Sequence, residues 1–194
     1  MTSSPATAAS VATAAATADT AGDAAPGRRA ADGVHTVNGT PRSATSLTPF
    51  VVVSPAADAI DFYVSVLGAR LVDRTDLPGP DGTTSVAHAV LDLGQGLLQL
   101  GDPSPAYHLV ARPDGDDDCY SLGLYRPDVD AVVERAVAAG ATLREPVTDF
   151  VSGDRYASLR DPFGVRWWVM TRVEDLSDEE SARRVAEWAA GLGQ

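Results

Sequence analysis

Apolar positions recur along this chain in one pattern that occurs twice. Residues 58–71 carry apolar side chains at helical spacing up to Gly68, and residues 130–143 repeat the arrangement seventy-two positions later, up to Gly140. Apolar residues three and four positions apart predict an amphipathic helix, and glycine commonly ends a helix because it adopts the left-handed conformation without strain. Each copy therefore predicts a helix followed by a strand, and the repeat predicts two copies of one supersecondary unit.

Short apolar and β-branched runs surround both predicted helices. They predict strands at residues 50–53, from 69, at 86–93 and at 97–100 in the first half, and at residues 120–125, from 143, at 155–159 and at 165–171 in the second. Turns at residues 94–96 and 161–164 would close hairpins. The predicted fold class is α+β, with two tandem βαβββ modules, residues 47–102 and 119–172, that form a curved mixed sheet around a cavity.

Composition divides the chain into three predicted segments. Residues 1–45 consist almost wholly of Ala, Thr, Ser, Gly and Pro, which bury too little apolar surface to offset chain entropy, so we predict a disordered tail. Residues 46–174 form the predicted domain, and residues 175–194 a C-terminal amphipathic helix. Ser177 and Glu180 have the spacing of a capping box. An apolar stripe follows, which would pack either against the domain or against another subunit; it consists of Val185, Trp188, Ala189 and Leu192.

The predicted domain is acidic. The chain has a net charge of −12, and the arginines and aspartates of the first 45 residues balance, so the excess falls on the domain. An acidic surface repels nucleic acid and anionic membranes, and no stretch is long and apolar enough to span a bilayer. The chain contains no lysine, which excludes Schiff-base chemistry and a Walker-type phosphate loop. We therefore expect neither a nucleic-acid nor a membrane partner.

Cysteine usage bears on the compartment. Cys119 is the only cysteine, so the chain has no internal disulfide, which is typical of a reducing cytoplasm. An export signal is the alternative, but no basic residue precedes the alanine-rich run, and no apolar run follows Arg28 and Arg29. We expect a cytoplasmic protein.

Several short motifs occur in order within residues 47–180. They are Phe62-Tyr63, Leu67-Gly68-Ala69, Ala138-Ala139-Gly140-Ala141, Gly153-Asp154-Arg155 and Asp161-Pro162-Phe163-Gly164. Together with the internal repeat, they resemble the vicinal oxygen chelate superfamily, which includes glyoxalase I, extradiol dioxygenases, fosfomycin-modifying enzymes and bleomycin-binding resistance proteins. Trp167 and the segment 173–175 that leads into the terminal helix are similar to the branch labelled glyoxalase-like.

The resemblance implies four metal-ligand positions on the concave face of the sheet, where metal-using members place His, Gln or Glu. A divalent ion there acts as a Lewis acid on a substrate oxygen. Only one of the four residues here could coordinate well, because Thr and Ser hydroxyls are poor ligands for Zn²⁺ or Ni²⁺ and Trp does not coordinate. The four positions fall on Thr48, Gln99, Ser121 and Trp168. We therefore expect no metal and no cofactor.

Aromatic side chains take the place of the metal ligands. Strand alternation puts four large apolar or aromatic side chains on the concave face together with four polar ones. They are Phe50, Tyr125, Trp168 and Met170, with Thr48, Gln99, Ser121 and Arg166. Flat rings with a few polar groups suit a planar small molecule, although they could also fill a closed core. Phe150, just before the Gly153 turn, would be a lid residue or a packing residue. The predicted ligand-binding residues are Phe50, His88, Gln99, Ser121, Tyr125, Phe150, Arg166 and Trp168, with Met170 and Thr48 on the same face.

His88 has several interpretations. Alternation along residues 87–93 puts His88, Val90 and Asp92 on the face that points to the cavity or its rim. His88 would be a general base or a polar contact for the ligand, a hydrogen-bonded structural histidine, or a metal ligand. One histidine with one carboxylate and no third partner does not make a catalytic triad.

Three further charged features have mainly structural interpretations. The three consecutive aspartates at 116–118 predict a solvated loop rather than a cation site, because adjacent side chains alternate in direction and do not converge easily. Asp161 is expected to cap the final hairpin turn. Arg155 would pair with Asp161 or Asp154, or reach the cavity.

The leading functional interpretation is a metal-free small-molecule-binding protein that sequesters an aromatic or antibiotic-like ligand. We expect a homodimer, and the two modules would pair either within one chain or across the dimer. The alternative is a metal-dependent lyase, isomerase or dioxygenase of the same superfamily, with a displaced site around His88, Asp92 and Gln99. A third interpretation is a scaffold or regulatory module whose cavity is closed.

Overall fold

The computed structural model describes residues 30–78 and 82–192. The predictions of disorder and of an export signal for residues 1–29, and of turn residues at 79–81, lie outside the described residues. The first module contains β3 (Phe50–Val52), α1 (Ala56–Ser65), β4 (Arg70–Pro78), β5 (Thr84–Asp92) and β6 (Leu97–Gly101), after a short hairpin of β1 (Thr36–Val37) and β2 (Thr40–Pro41). The second contains β7 (Leu122–Tyr125), α2 (Val129–Ala138), β8 (Thr142–Phe150), β9 (Asp154–Arg160) and β10 (Arg166–Arg172), followed by α3 (Asp178–Gly191).

The prediction of an α+β fold with two tandem βαβββ modules and a terminal helix is confirmed. Each module has one four-stranded mixed sheet, in the orders β3-β6-β5-β4 and β7-β10-β9-β8. In each module the first strand in the sequence pairs in parallel with the last one, β3 with β6 and β7 with β10. The other neighbouring strands are antiparallel. Register shifts in β4 and β8 bend these outer strands. The sheets are curved but unclosed, so they do not form one continuous wall around a cavity.

Both repeat helices follow from local sequence signals. Asp128 begins α2 as its N-cap, because its side chain accepts a hydrogen bond from the backbone N–H of Ala131 at 3.0 Å. The predicted glycine ends are confirmed, since Gly68 and Gly140 have φ of 69° and 96°. The apolar stripe of each helix is buried. It consists of Ala56, Ala59, Ile60, Phe62 and Tyr63 in α1, and of Val129, Val132, Val133 and Ala136 in α2.

Alternation along the strands gives each sheet one covered face and one open face. The side chains that face α1 and α2 belong to a single core that extends through both modules. The strand residues of this core are mainly Val51, Ala89, Leu91, Leu98 and Leu100 in the first sheet, and Leu124, Ala157, Leu159, Trp167 and Val169 in the second. Apart from Ser158, which is fully buried, the residues between them are half-buried or exposed. The open faces are therefore where a ligand or another chain could bind.

The buried carboxylate of Asp161 joins the two modules. Its Oδ2 accepts hydrogen bonds from the Tyr63 hydroxyl at 2.8 Å and from the Trp167 indole N–H at 2.9 Å. Its Oδ1 accepts the backbone N–H groups of Phe163 and Val165, each at 2.9 Å. The predicted turn-capping role is confirmed, and the structure adds the bond to α1. Burial raises the pKa of Asp161, and the donated hydrogen bonds oppose that rise.

Two arginines hold the second module against the end of α1. Arg126 donates to the carbonyl of Leu67 at 2.7 Å and to that of Leu93 at 2.8 Å. Arg135 donates to the carbonyl of Val66 at 3.3 Å. The Val66 and Leu67 carbonyls lie at the helix end, which leaves them without intrahelical partners, and the Leu93 carbonyl belongs to the turn between β5 and β6. Contacts of this kind, together with the Tyr63–Asp161 bond, set how the two modules pack.

Both ends of the described chain carry structure outside the two modules. Residues 36–41, within the predicted tail, form a hairpin whose turn residues Asn38 and Gly39 have positive φ. Ser177 caps α3 by accepting from the backbone N–H of Glu180, as predicted, but the Glu180 carboxylate pairs with arginines of α3 instead of completing the box. No residue of α3 is buried, and its Trp188 is 44% exposed.

The Tyr63–Asp161 bond generates a stability prediction. Tyr63→Phe should lower the free energy of unfolding by about 1–2 kcal/mol, because it removes a buried hydrogen bond to a carboxylate. Urea denaturation followed by circular dichroism measures this. Tyr107→Phe is the matched control, since Tyr107 is exposed and its hydroxyl has no described partner; it should change stability by less than about 0.5 kcal/mol. Equal stability of both variants would contradict a structural role for this junction.

Candidate functional site

The open face of the first sheet brings together three of the predicted site residues. Gln99 aligns with Phe50 on one neighbouring strand and with Val90 on the other. The Phe50 ring stacks on the His88 imidazole, with the ring centroids 6.1 Å apart and the planes 26° apart. Phe50, His88 and Gln99 therefore lie on one face, as alternation predicts.

His88 has no hydrogen bond to any described residue. The nearest carboxylate on its strand, Asp92, instead accepts the backbone N–H of Gly94 at 2.8 Å and a bond from Arg70 at 2.7 Å. The Gly94 bond and then the Arg70 bond lower the pKa of Asp92. No described contact gives the imidazole a hydrogen-bond or catalytic partner, so the role of His88 stays a prediction. Its described ring contact is the one with Phe50.

The open face of the second sheet carries an aromatic shelf, which we define as Phe150, Tyr156, Trp168 and Trp188. Tyr156 and Trp168 stack with centroids 5.3 Å apart and planes only 15° apart. Phe150 meets Tyr156 edge to face at 6.0 Å, and Trp188 of α3 meets Phe150 at 5.0 Å. Trp168 aligns with Gly123 on β7, which has no side chain to cover the ring. The shelf is therefore preformed and remains partly open.

Arg166 borders the shelf. Its guanidinium carbon lies 6.0 Å from the centre of the Trp168 ring, within the range of a cation–π contact. The same group donates to Ser158 at 2.9 Å and to Glu145 at 2.8 Å. Tyr156 also donates to Glu145, at 3.4 Å, and burial together with this carboxylate raises the pKa of Tyr156. The charged side chains of Arg166 and Glu145 therefore lie directly beside the aromatic rings.

Two expectations about charged residues are corrected. Asp118 is not a solvated loop residue, because its side chain is only 6% exposed and pairs with Arg160 at 2.7 Å. The loop lies against a group of arginines that sequence spacing does not reveal. Arg155 pairs with Asp130 at 2.8 Å and with Asp149 at 2.9 Å, and makes no described bond to Asp161 or Asp154.

The remaining predicted residues lie at the hollows between the modules. A hollow of about 1050 Å³ is lined by Ser121 and Tyr125 together with Arg126 and the hairpin residues 93–98. A second, of about 370 Å³, is lined by Phe50 and residues 110–113. Neither is lined by the other predicted residues His88, Gln99, Phe150, Arg166 and Trp168. The predicted site therefore divides among two open sheet faces and a groove, and its role in binding stays a prediction.

The four residues that the resemblance implies as metal-ligand positions fit a divalent ion poorly. The Thr48 hydroxyl bonds to that of Thr45 at 2.8 Å, and Ser121 lies before the start of β7. Trp168 has no lone pair to offer and stacks on Tyr156. Gln99 alone is a suitable donor. Across residues 30–78 and 82–192, no three His, Cys, Asp or Glu side chains are grouped so that they could hold a metal.

Sequence reasoning missed several residues of this region. Tyr156 lies two positions before Ser158 on β9, so alternation along that strand could have placed it on the shelf. Trp188 was recognised as part of an apolar stripe, but its contact with Phe150 depends on how α3 folds back. Asp118 pairs with Arg112 of its own loop at 3.4 Å, but its strand partners Arg160 and Arg166 lie more than 40 residues away, and no local signal identifies them.

Comparisons with known proteins agree with this architecture. Residues 43–169 match the family model of the Glyoxalase/Bleomycin resistance protein/Dioxygenase superfamily. An uncharacterized protein of Mycobacterium bovis is 35% identical over 138 residues, which span 70% of this chain and 88% of that protein. The crystal structure of TioX from Micromonospora sp. ML1 is 27% identical, with a TM-score of 0.50, over 66% of this chain and 98% of that one. A Pseudomonas aeruginosa structure with 23% identity and a TM-score of 0.52 shares the fold over the same fractions.

The donor set predicts weak metal binding. After treatment with a chelator and dialysis against Zn²⁺ or Ni²⁺, the protein should retain well under one equivalent per chain, because hydroxyl and indole groups are poor ligands. Elemental analysis by mass spectrometry measures the retained metal. The Cys119→Ser variant removes adventitious binding by the exposed thiol. One full equivalent in that variant, lost on a further Gln99→Ala change, would contradict the prediction.

Proposed function

The chain belongs to the Glyoxalase/Bleomycin resistance protein/Dioxygenase superfamily, and from that membership we propose that it binds a planar aromatic small molecule without using a divalent metal. The observation that carries this proposal is the Tyr156–Trp168 stack, because it places an aromatic ring where the family resemblance implies a metal ligand. Binding would capture the molecule rather than convert it.

The geometry of the shelf supports a flat ligand. Tyr156 and Trp168 are nearly parallel, so a third ring would extend the stack at little conformational cost. Phe150 and Trp188 present edges and would limit the ligand on one side. Arg166 and Glu145 supply charged donors and acceptors at the border, and the buried Ser158 hydroxyl holds the Arg166 guanidinium in place. Apolar surface with a few placed polar groups is the usual composition of a small-molecule site.

The described contacts offer less support for a catalyst. General acid–base catalysis needs a titratable group held within hydrogen-bond reach of its partner. His88 has no such partner, and the hydrogen bonds of Asp92 go to Gly94 and Arg70. Since the four ligand-equivalent residues also fit a metal poorly, no observation favours the lyase, isomerase or dioxygenase alternative over capture.

We propose that two chains associate to close the site. The shared core keeps the helix sides of both sheets together, and no described contact joins the open face of the first sheet to that of the second. Phe50 is 36% exposed and Tyr125 is 52% exposed. Exposed apolar faces of this kind commonly mark interfaces. A homodimer would place the Phe50–His88 face of one protomer over the aromatic shelf of its partner, with the ligand between them.

The biological role that follows is sequestration in the cytoplasm. A protein that holds an aromatic antibiotic-like molecule in a stoichiometric complex lowers its free concentration, which would protect the cell without chemistry. The lone exposed Cys119 supports a reducing compartment, where a free thiol persists. The described residues include no helix both long and apolar enough to cross a membrane.

Ligand capture on the shelf is tested with a neutral planar probe, naphthalene-2-carboxamide. Isothermal titration calorimetry should show saturable binding to the unmodified protein. Trp168→Ala should weaken the affinity about tenfold or more, since it removes both stacking and buried apolar area. Tyr107→Ala, which removes an exposed ring that makes no described ring contact, should bind as the unmodified protein does. Unchanged affinity in Trp168→Ala would place binding elsewhere, and no binding would refute the proposed function.

Dimer formation has its own test. Light scattering coupled to size-exclusion chromatography should give the mass of two chains at micromolar concentration. Phe50→Glu should shift the protein toward the monomer, because an unpaired charge would be buried in the interface. Tyr107→Glu introduces the same charge at another exposed aromatic position and should leave the dimer intact. A monomer at every concentration would contradict a site shared between two chains.

A further inference from the structure

The loop of residues 112–118 lies against the open face of the second sheet and is held there by arginines. Arg160 bonds Asp118 at 2.7 Å and donates to the carbonyl of Gly115 at 3.2 Å. Arg144 contacts both the carbonyl and the carboxylate of Asp116, at 3.0 and 2.6 Å. No backbone–backbone hydrogen bond among the described residues ties this loop to the sheet. The loop therefore depends on charge-assisted side-chain contacts.

The arginines come from three neighbouring strands. Arg144 lies on β8, Arg160 on β9 and Arg166 on β10, and we call these three the arginine cluster. Arg160 and Arg166 align directly across the β9–β10 pair. Like charges side by side on a sheet repel one another unless an anion lies between them. In this protein Asp118 supplies that anion, with Arg160 at 2.7 Å and Arg166 at 3.5 Å.

The arginine cluster has more hydrogen-bond donors and positive charge than the sheet itself neutralises. The Nε of Arg144 is buried and has no hydrogen-bond partner in the described structure. The sheet itself provides one carboxylate to the cluster, that of Glu145, which bonds Arg166 at 2.8 Å. Without the loop, the three guanidinium groups would share this single negative charge. Such an excess of positive charge stands out in a chain whose net charge is −12.

We propose that the arginine cluster is an anion-binding subsite of the aromatic shelf, and that Asp118 occupies it in the ligand-free protein. This inference rests on the proposed function and names its ligand class, a planar aromatic molecule that carries a carboxylate. The rings would stack on Trp168, and the carboxylate would replace that of Asp118 between Arg160 and Arg166. Arg166 links the two parts, because it contacts both the Trp168 ring and Asp118.

The exchange of one carboxylate for another is chemically balanced. Guanidinium groups bind carboxylates through paired N–H donors, so a ligand carboxylate can remake the contacts that Asp118 gives up. The loop would leave the sheet without breaking any strand pairing, since its ties are to side chains. Asp118 therefore competes with a ligand that carries a carboxylate. A neutral aromatic molecule would stack on the shelf without displacing Asp118.

The test compares two probes that differ in one group, naphthalene-2-carboxylate and naphthalene-2-carboxamide, on the full chain by calorimetry. Asp118→Asn should strengthen carboxylate binding about tenfold, because the internal competitor loses its charge, and should change carboxamide binding less than about twofold. Asp117→Asn is the matched control, since it removes the same charge from the same loop at a carboxylate with no described bond. Arg160→Gln should abolish the preference for the carboxylate.

The outcomes separate this inference from the proposed function. Carboxamide binding that depends on Trp168, without any effect of Asp118→Asn on the carboxylate, would refute the anion subsite and leave aromatic capture standing. Failure of both probes to bind any variant would refute both.

A second measurement avoids the concern that Asp118→Asn unfolds. In the unmodified protein, saturating naphthalene-2-carboxylate should speed limited cleavage at residues 114–118 by a protease that cuts at aspartate, measured by mass spectrometry, and the carboxamide should not. Unchanged cleavage with the bound carboxylate would show that the loop stays in place, which contradicts the proposal.

Discussion

A buried carboxylate connects the two halves of this protein: Asp161 accepts four hydrogen bonds, from the turn that it caps, from Trp167 of its own module and from Tyr63 of the other. Burial and the nearby Asp161 charge keep the pKa of Tyr63 well above its ordinary value, so its hydroxyl remains a donor at neutral pH. A buried charge is tolerated only where donors surround it. The helix sides of both modules are consequently held together around one core.

This junction determines where function can reside. Because the two sheets share a core on their helix sides, their other faces stay open, and alternation along each strand separates core residues from site residues. Trp167 and Trp168 show the division most clearly. Trp167 is almost completely buried and bonds Asp161, whereas its neighbour Trp168 stacks on Tyr156 on the open face. Substitution of one tests the fold, and substitution of the other tests binding.

The open face of the second sheet differs in charge from the rest of this acidic chain, because arginines are concentrated there. The chain is strongly acidic, yet several arginines converge on the loop that carries Asp116 and Asp118. Guanidinium groups remain charged in every accessible pH range, so this arrangement needs anions nearby at all times. The acidic loop supplies these anions from within the chain. Because a ligand must displace it to reach the arginines, the loop would also discriminate between ligands with and without a carboxylate.

Local sequence patterns alone determined much of this protein. Helical periodicity, the glycines at 68 and 140 and strand alternation identified the two modules, the capping role of Asp161 and the common face of Phe50, His88 and Gln99, because each signal is set by neighbours within a few residues. Only the tertiary structure decided that the sheets stay separate, that Arg155 pairs with Asp130 and that Asp118 is buried among arginines. Those outcomes depend on strand register and loop placement, which bring together residues tens of positions apart and which no local pattern encodes.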